Sequence, residues 1–171
     1  MSESSESRSS KARAESLATA RSTGGDAADV AQLLGRIPAA PFHVARRCPH
    51  GRPAVIENDP VDGKGRPFPT RYWLVCHAMC TAVSRLEADG GVEALDRDVD
   101  LAPAVADAHR LHGELHAGYR VAGAGDPAHV KCLHAHLALG LARDGGPVSD
   151  WILERSGARW PERCCIDRMN A

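Results

Sequence analysis

The sequence predicts an α+β protein in which a small antiparallel β-meander of about three strands packs against four to six helices. Three short runs rich in β-branched and aromatic residues lie between residues 42 and 75, and turn-forming Pro and Gly separate them. From residue 78 onward the apolar residues recur at helical spacing instead. Strands followed by helices, without regular alternation, are typical of the α+β class.

The first 25 residues differ in composition from the rest of the chain. They are rich in Ser, Arg, Glu and Gly, and no apolar residue recurs at a regular period. Such a segment buries too little apolar surface to offset the entropy of ordering it. We therefore expect a disordered tail over residues 1–25 and a single α+β domain over residues 26–171, which suits a chain of 171 residues.

The elements of the domain follow in order from local signals. Asp26 can cap a first helix, and the runs 42–48 and 52–58 flank a Pro-His-Gly turn, which predicts a β-hairpin. Residues 59–69 are dense in turn formers and should form an exposed loop before a third strand over 70–75. Later helices are expected over 78–91, 92–98 and 128–143. Another should run from an Asp100 cap to about Tyr119, and a short last helix should follow a Ser149 or Asp150 cap. Residues 158–171 should form an irregular tail.

Charge and composition exclude several classes of function. The formal net charge is −1, which gives no general electrostatic signal for nucleic acid or an anionic membrane. The chain contains neither a membrane span nor the apolar core of a signal peptide, so we expect a cytoplasmic protein. In that compartment the six cysteines are expected as thiols or metal ligands rather than disulfides.

The run Cys132-Leu133-His134-Ala135-His136 places three metal-ligand side chains within five residues. On a helix over 128–143, Cys132 and His136 are i,i+4 neighbours and project together, opposite a leucine-rich face. His134 then lies at the edge of that face, and it becomes a feasible ligand if the helix starts one turn later. Cys and His are the ligands that zinc prefers.

Two further cysteines complete the predicted site. Cys48 lies in a Cys-Pro-His-Gly turn, and Cys76 follows the third strand. We expect one metal ion, zinc in the first instance, held by Cys48, Cys76, Cys132 and one of His134 or His136. Cys164 is the reserve ligand, and an iron–sulfur cluster becomes the alternative if it replaces the histidine.

The segment His109-Arg-Leu-His112-Gly-Glu-Leu-His116 carries three histidines in one helical stripe. They could form a second metal site. We favour the interpretation that they are partly exposed and flank a buried apolar stripe.

Two other functions compete with a metal site. The first is a thiol-dependent enzyme in which Cys132, near a helix N-terminus, reacts with a neighbouring histidine as base. The second is a metal-free adaptor or regulatory protein that binds a protein partner through a local basic patch. The arginines of that patch would be Arg46, Arg47, Arg52, Arg66 and Arg71.

Four stretches together resemble the DUF501 family of uncharacterised, mainly actinobacterial proteins. They are RRCPHGRPAVIEND, GRPFPTRYWLVC, SRLEADGGV and VKCLHAH, and the resemblance spans roughly residues 30–165. It implies no established activity. The family pattern has Cys or His at the position of Cys76 and Cys-Leu-His at Cys132-Leu133-His134, while aromatic residues usually stand where this chain has histidines over 109–116. The genes near family members point towards cell division or envelope physiology.

Overall fold

The computed structural model describes residues 24–171, so the tail predicted over residues 1–25 lies almost wholly outside the described residues. Within that range the chain forms seven α-helices, one 3-10 turn and one three-stranded antiparallel sheet. The α+β class with a three-stranded meander is therefore confirmed. The described part contains more helices than expected because the C-terminal segment, predicted as irregular, contains a short helix.

The elements follow the chain in this order: α1 Gly24–Leu34, β1 Phe42–Arg47, β2 Pro53–Asn58, β3 Tyr72–Leu74, α2 His77–Ala88, α3 Gly91–Asp96, α4 Ala102–Leu115, a 3-10 turn at Val121–Gly123, α5 Leu133–Ala142, α6 Pro147–Ser156 and α7 Cys165–Met169. No helix among them is long and apolar enough to cross a membrane.

The sheet has the order β1-β2-β3, with each strand antiparallel to the next. The β1–β2 turn is closed by a hydrogen bond from the Gly51 amide to the Cys48 carbonyl at 2.9 Å. Gly51 has a φ of 79°, a conformation that glycine adopts without steric cost. This turn fixes Cys48 at one end of the sheet.

The central strand β2 is covered on both faces. Successive side chains of a strand point to opposite faces. Ile56 accordingly packs with Val30 of α1 and with Val75, whereas Val55 joins the main core with Leu74. This double coverage explains why β2 is an almost continuous apolar run.

Helix α5 lies at the centre of the main core and packs against β3 and α6. Leu133 and Leu137 are fully buried. Gly140 allows α6 to come close, since a Cβ at this position would lie 2.2 Å from the Cβ of Ser149. The N-terminus of α5 is thereby held in a defined place, next to the end of α2.

The prediction of a two-faced helix over 128–143 is wrong. Helix α5 begins at Leu133, and it is buried nearly all round rather than along one stripe. Side chains from elsewhere in the fold set its start: the Asp96 carboxylate accepts a hydrogen bond from the Val130 amide at 2.7 Å, and Glu87 accepts one from the Leu133 amide at 2.6 Å. Asp96 and Glu87 are distant in sequence from α5, so no local pattern shows these contacts.

Other predicted boundaries also change. Helix α4 has Leu101 as its N-cap, without a side-chain cap from Asp100, and it ends at Leu115. Helix α6 begins at Pro147, whose fixed φ suits the first turn of a helix, so Ser149 is already helical rather than capping. In each case the helix is set by packing and proline geometry instead of the polar cap that the sequence suggested.

Candidate metal centre

A group of three side chains in the described part of the chain has the composition and spacing of a metal site. One ligand atom from each of Glu87, Cys132 and His134 lies within 4.8 Å of the other two. His134 Nδ1 is 3.2 Å from Glu87 Oε1 and 3.9 Å from Cys132 Sγ. Carboxylate oxygen, thiolate sulfur and imidazole nitrogen are all zinc ligands.

The ends of two helices position this group. Glu87 lies in the last turn of α2, while Cys132 is the N-cap of α5 and His134 lies in its first turn. Cys132 has an extended backbone, with φ −157° and ψ 121°, which turns its side chain out of the helical register. The thiol therefore meets His134, two residues later, instead of His136 in the next turn.

The second ring nitrogen of His134, Nε2, has hydrogen-bond partners of its own. His134 Nε2 lies 3.1 Å from both Ser84 Oγ and the Cys80 carbonyl oxygen. Donation from Nε2–H to the Cys80 carbonyl leaves Nδ1 free to face Glu87 and Cys132. Metal-binding histidines commonly have such a partner on the second nitrogen, because it fixes the tautomer and the ring orientation.

The electrostatics of the group favour a bound cation. Burial lowers the pKa of His134, but its contacts with Cys132 and Glu87 outweigh burial and raise the pKa to about 9. The side chains of His134 and Glu87 keep 23% and 27% of their surface exposed. Solvent therefore reaches the group, and an entering metal ion can displace the imidazole proton.

The structure divides the five predicted ligands among three places. Cys132 and His134 meet at Glu87, as described. His136 lies in the core with its ring centroid 5.2 Å from that of His109, and burial lowers its pKa to about 3. Cys48 and Cys76 line a separate small cavity together with Cys164 and Cys165.

Cys76, the N-cap of α2, and Cys80, in the first turn of that helix, are not activated nucleophiles. Burial raises the pKa of the Cys76 thiol well above its ordinary value, and it raises that of Cys80 to about 12. The Cys80 thiol donates a hydrogen bond to the Leu74 carbonyl at 3.2 Å. Both side chains are therefore protonated at neutral pH unless a metal ion displaces the proton.

The expectation that the histidine stripe is partly exposed is wrong. His109, His112 and His116 are 1–2% exposed. Each has a ring nitrogen within hydrogen-bond distance of a backbone carbonyl, on His129, Tyr119 and Phe68 respectively. The rings hold loop segments against α4, which makes them structural polar groups of the core.

The arginines proposed as a basic patch all have acidic partners. Each one pairs with a carboxylate: Arg46 with Asp144, Arg47 with Asp26, Arg52 with Asp29, Arg66 with Asp62 and Arg71 with Glu57. Several of these pairs fasten the sheet and its loops to neighbouring segments. They reduce the net positive charge of the proposed patch.

A cleft of about 220 Å³ lies elsewhere, between α4, α5 and the start of α6. Its lining is mainly apolar and includes Leu111, Leu139 and Val148. Neither Cys132 nor His134 lines it. The cleft therefore gives no binding site for a substrate of the Cys132 thiol.

Sequence reasoning missed two of the residues that matter here. Glu87 is far from Cys132 along the chain, and no local spacing links them. Cys165 lies in the segment predicted as an irregular tail, although the adjacent pair Cys164-Cys165 is a visible signal. Both residues reach their positions only through the packing of α2, α5 and α7.

Taken together, the fold and this group define a small α+β protein with a Glu/Cys/His cluster where the end of one helix meets the start of another. Residues 44–122 match the model of a protein family described as "Protein of unknown function (DUF501)". The resemblance to DUF501 is thereby confirmed over this segment. The match includes Cys48, Cys76 and Glu87 but ends before Cys132. No curated protein and no solved structure matches the chain.

Proposed function

We propose that the chain is a metal-binding protein that holds one zinc ion between Glu87, Cys132 and His134. The observation that supports this most directly is the mutual approach of three ligand atoms within 4.8 Å. The three residues come from two helices and from sequence positions far apart. Their convergence at one point is therefore a property of the fold.

The ligand set favours zinc over an iron–sulfur cluster. Zinc accepts mixed shells of sulfur, nitrogen and oxygen, whereas clusters are usually held by four thiolates. This group offers a single thiolate, from Cys132. Zinc is accordingly the first choice here, and an iron–sulfur cluster is disfavoured at these three residues.

Three protein ligands leave one position of a tetrahedral shell open. Sites of this kind hold a water molecule or a substrate at the fourth position, while purely structural zinc sites usually have four protein ligands. The partial exposure of Glu87 and His134 is compatible with such access. The proposed site is thus of the open type, which permits Lewis-acid chemistry on a ligand that reaches it.

A reducing compartment suits this proposal. All six cysteines are free thiols, and the cytoplasm keeps thiols reduced. We therefore propose the cytoplasm as the location. Zinc would also tie the end of α2 to the start of α5, and so add to the stability of the joint between them.

Metal analysis of the full chain, purified without chelator under reducing conditions, tests the proposal. Cys132→Ser and His134→Gln should each lose one equivalent of zinc relative to the wild-type chain. Cys80→Ser is the matched control, since its hydroxyl can keep the bond to the Leu74 carbonyl, and it should retain the full zinc content. If all three variants hold as much zinc as the wild type, the proposal is wrong.

A thiol-dependent enzyme is the second candidate, and one contact favours it. Cys132 Sγ lies 3.9 Å from His134 Nδ1, near enough for the imidazole to assist the thiol after a small rotation. Alkylation with iodoacetamide separates the two functions. Rapid modification of Cys132 in the presence of zinc supports the enzyme, whereas protection that disappears when a chelator is added supports the metal site.

A further inference from the structure

A second group of cysteines lies away from the Glu/Cys/His cluster. Cys48, Cys76, Cys164 and Cys165 line one small cavity, and each has at most 8% of its surface exposed. Cys48 comes from the β1–β2 turn, Cys76 is the N-cap of α2, and the other two begin α7. Three segments that are distant in sequence thus bring four thiols to one place.

The spacing of the nearest pair suits a shared metal ion. Cys76 Sγ and Cys165 Sγ are 3.9 Å apart. Two thiolates bound to one tetrahedral zinc ion, with Zn–S bonds of about 2.3 Å, lie about 3.8 Å apart. The pair therefore already has the separation that a common ion requires.

The cavity is the right size for one ion. Its volume is about 10 Å³. That is roughly the space that a single water molecule occupies in such a measurement, and it is too small for an iron–sulfur cluster without expansion of the core. The size of the cavity thus favours a mononuclear site over a cluster.

Backbone amides are directed at the sulfur atoms. The Ala78 amide donates to Cys165 Sγ at 3.3 Å. Amides of Ala78 and Met79 also face Cys76, and those of Ile166 and Asp167 face Cys164. N–H groups that point at sulfur stabilise thiolates bound to a metal ion. Arg52 also lines the cavity, and its guanidinium pairs with Asp29.

We propose that Cys48, Cys76, Cys164 and Cys165 form a second, all-thiolate site that binds one zinc ion. In the structure, no three of these sulfurs lie within 4.8 Å of one another, so the side chains of Cys48 and Cys164 turn inward when the ion binds. Each bound thiol releases its proton to solvent. The ion would fasten α7 and the β1–β2 turn to the start of α2.

A disulfide between Cys76 and Cys165 is the main rival. It would require the two sulfurs to close from 3.9 Å to about 2.05 Å, and it would need an oxidant. It would also leave Cys48 and Cys164 at the same cavity without a role. A single ion uses all four thiols.

The test uses the full chain carrying Cys132→Ser and His134→Gln, which removes the first proposed site, purified under anaerobic reducing conditions. Titration with Co²⁺ should show one bound equivalent, with the strong sulfur-to-metal charge-transfer absorption of a thiolate site. Adding Cys165→Ser should weaken Co²⁺ binding and reduce this absorption, because one of the four thiolates is lost. Adding Cys80→Ser instead should leave it unchanged, because Cys80 does not line the cavity.

The two proposals fail in different ways. If the double variant binds no Co²⁺ while the wild-type chain binds one equivalent, the cysteine site is wrong and the Glu/Cys/His site stands. If the double variant and the wild type bind the same single equivalent through thiolates, the reverse holds. A Cys76–Cys165 disulfide in the anaerobic protein, seen by mass spectrometry, would also overturn the cysteine site.

A second measurement covers the case in which a variant does not fold. X-ray absorption of the zinc-loaded wild-type chain needs no substitution. Two occupied sites predict an averaged shell dominated by sulfur at about 2.3 Å, with a minor nitrogen and oxygen component. A shell in which nitrogen and oxygen outnumber sulfur would refute the all-thiolate site.

Discussion

Acid should destabilise this protein, and His112 should account for a measurable part of the effect. Its Nδ1–H donates to the Tyr119 carbonyl at 2.6 Å, and its Nε2 accepts a hydrogen bond from the Arg71 amide at 3.2 Å. The neutral ring therefore uses both nitrogens. Protonation of Nε2 would break the bond from Arg71 and place a charge in the core.

The magnitude follows from the pKa. Burial lowers the pKa of His112 from 6.5 to about 4 in the folded chain. The unfolded chain therefore binds a proton in a pH range where the folded chain does not. This contribution to stability is fully present above pH 6.5 and is lost as the pH falls towards 4. Linkage gives a loss of about 2 kcal/mol by pH 5 and about 3 kcal/mol by pH 4.

Urea unfolding of the wild type and of His112→Asn, at several pH values from 7 to 4, measures this contribution. The asparagine amide can still donate to the Tyr119 carbonyl but does not titrate. The variant should start less stable, by about 1–3 kcal/mol, because the Arg71 amide loses its acceptor. Its stability should then fall less steeply with acid, and by pH 4 the gap between the two proteins should have closed by about 3 kcal/mol.

His77→Asn is the matched control, since His77 is exposed on the surface of α2. Its unfolding free energy should follow the wild-type curve at every pH. The other buried histidines titrate in both proteins, and burial, rather than the charge of His112, is the main cause of the lowered pKa of His136. Parallel curves for the wild type and His112→Asn would refute the reasoning, because they would show that His112 does not titrate differently on folding.

The remaining predictions concern the packing of α5 and one exposed control position. Gly140→Ala should lower the free energy of unfolding by about 1–3 kcal/mol, because the new Cβ lies 2.2 Å from the Ser149 Cβ. Adding Ser149→Gly should recover much of this loss. A Gly140→Ala variant with wild-type stability would contradict the close contact. Leu137→Ala should cost about 2–5 kcal/mol in thermal or urea unfolding, because Leu137 is fully buried. Ile37→Ala, at a residue that is 83% exposed, should change stability by less than about 0.5 kcal/mol.

Much of the fold followed from local signals in the sequence. The Pro-His-Gly turn and its flanking runs predicted the hairpin, and the aromatic run over 70–75 predicted the third strand. These elements depend on turn chemistry and β-propensity, which act between near neighbours. Helix boundaries were less accurate, since Glu87 caps α5 from a distance.

In the candidate sites too, local sequence signals predicted some of the residues and tertiary packing decided the others. The sequence singled out Cys132 and His134 as ligands because of their residue types and their closeness along the chain. It did not indicate Glu87, which joins them through tertiary packing alone. It also grouped Cys48 and Cys76 with Cys132, whereas the structure places them with Cys164 and Cys165 around a separate cavity.

The sequence by itself determined the α+β class, the order of the strands, the DUF501 resemblance and the residue types able to bind a metal ion. These properties depend on composition, turn residues and short-range periodicity. The tertiary structure decided which of the cysteines and histidines meet. A ligand group requires atoms within a few ångströms of one another, and residues 45 or more positions apart reach that distance only when helices pack. The start of α5 at Leu133 shows the physical reason, because the capping of this helix by Glu87 places Cys132 and His134 beside the Glu87 carboxylate.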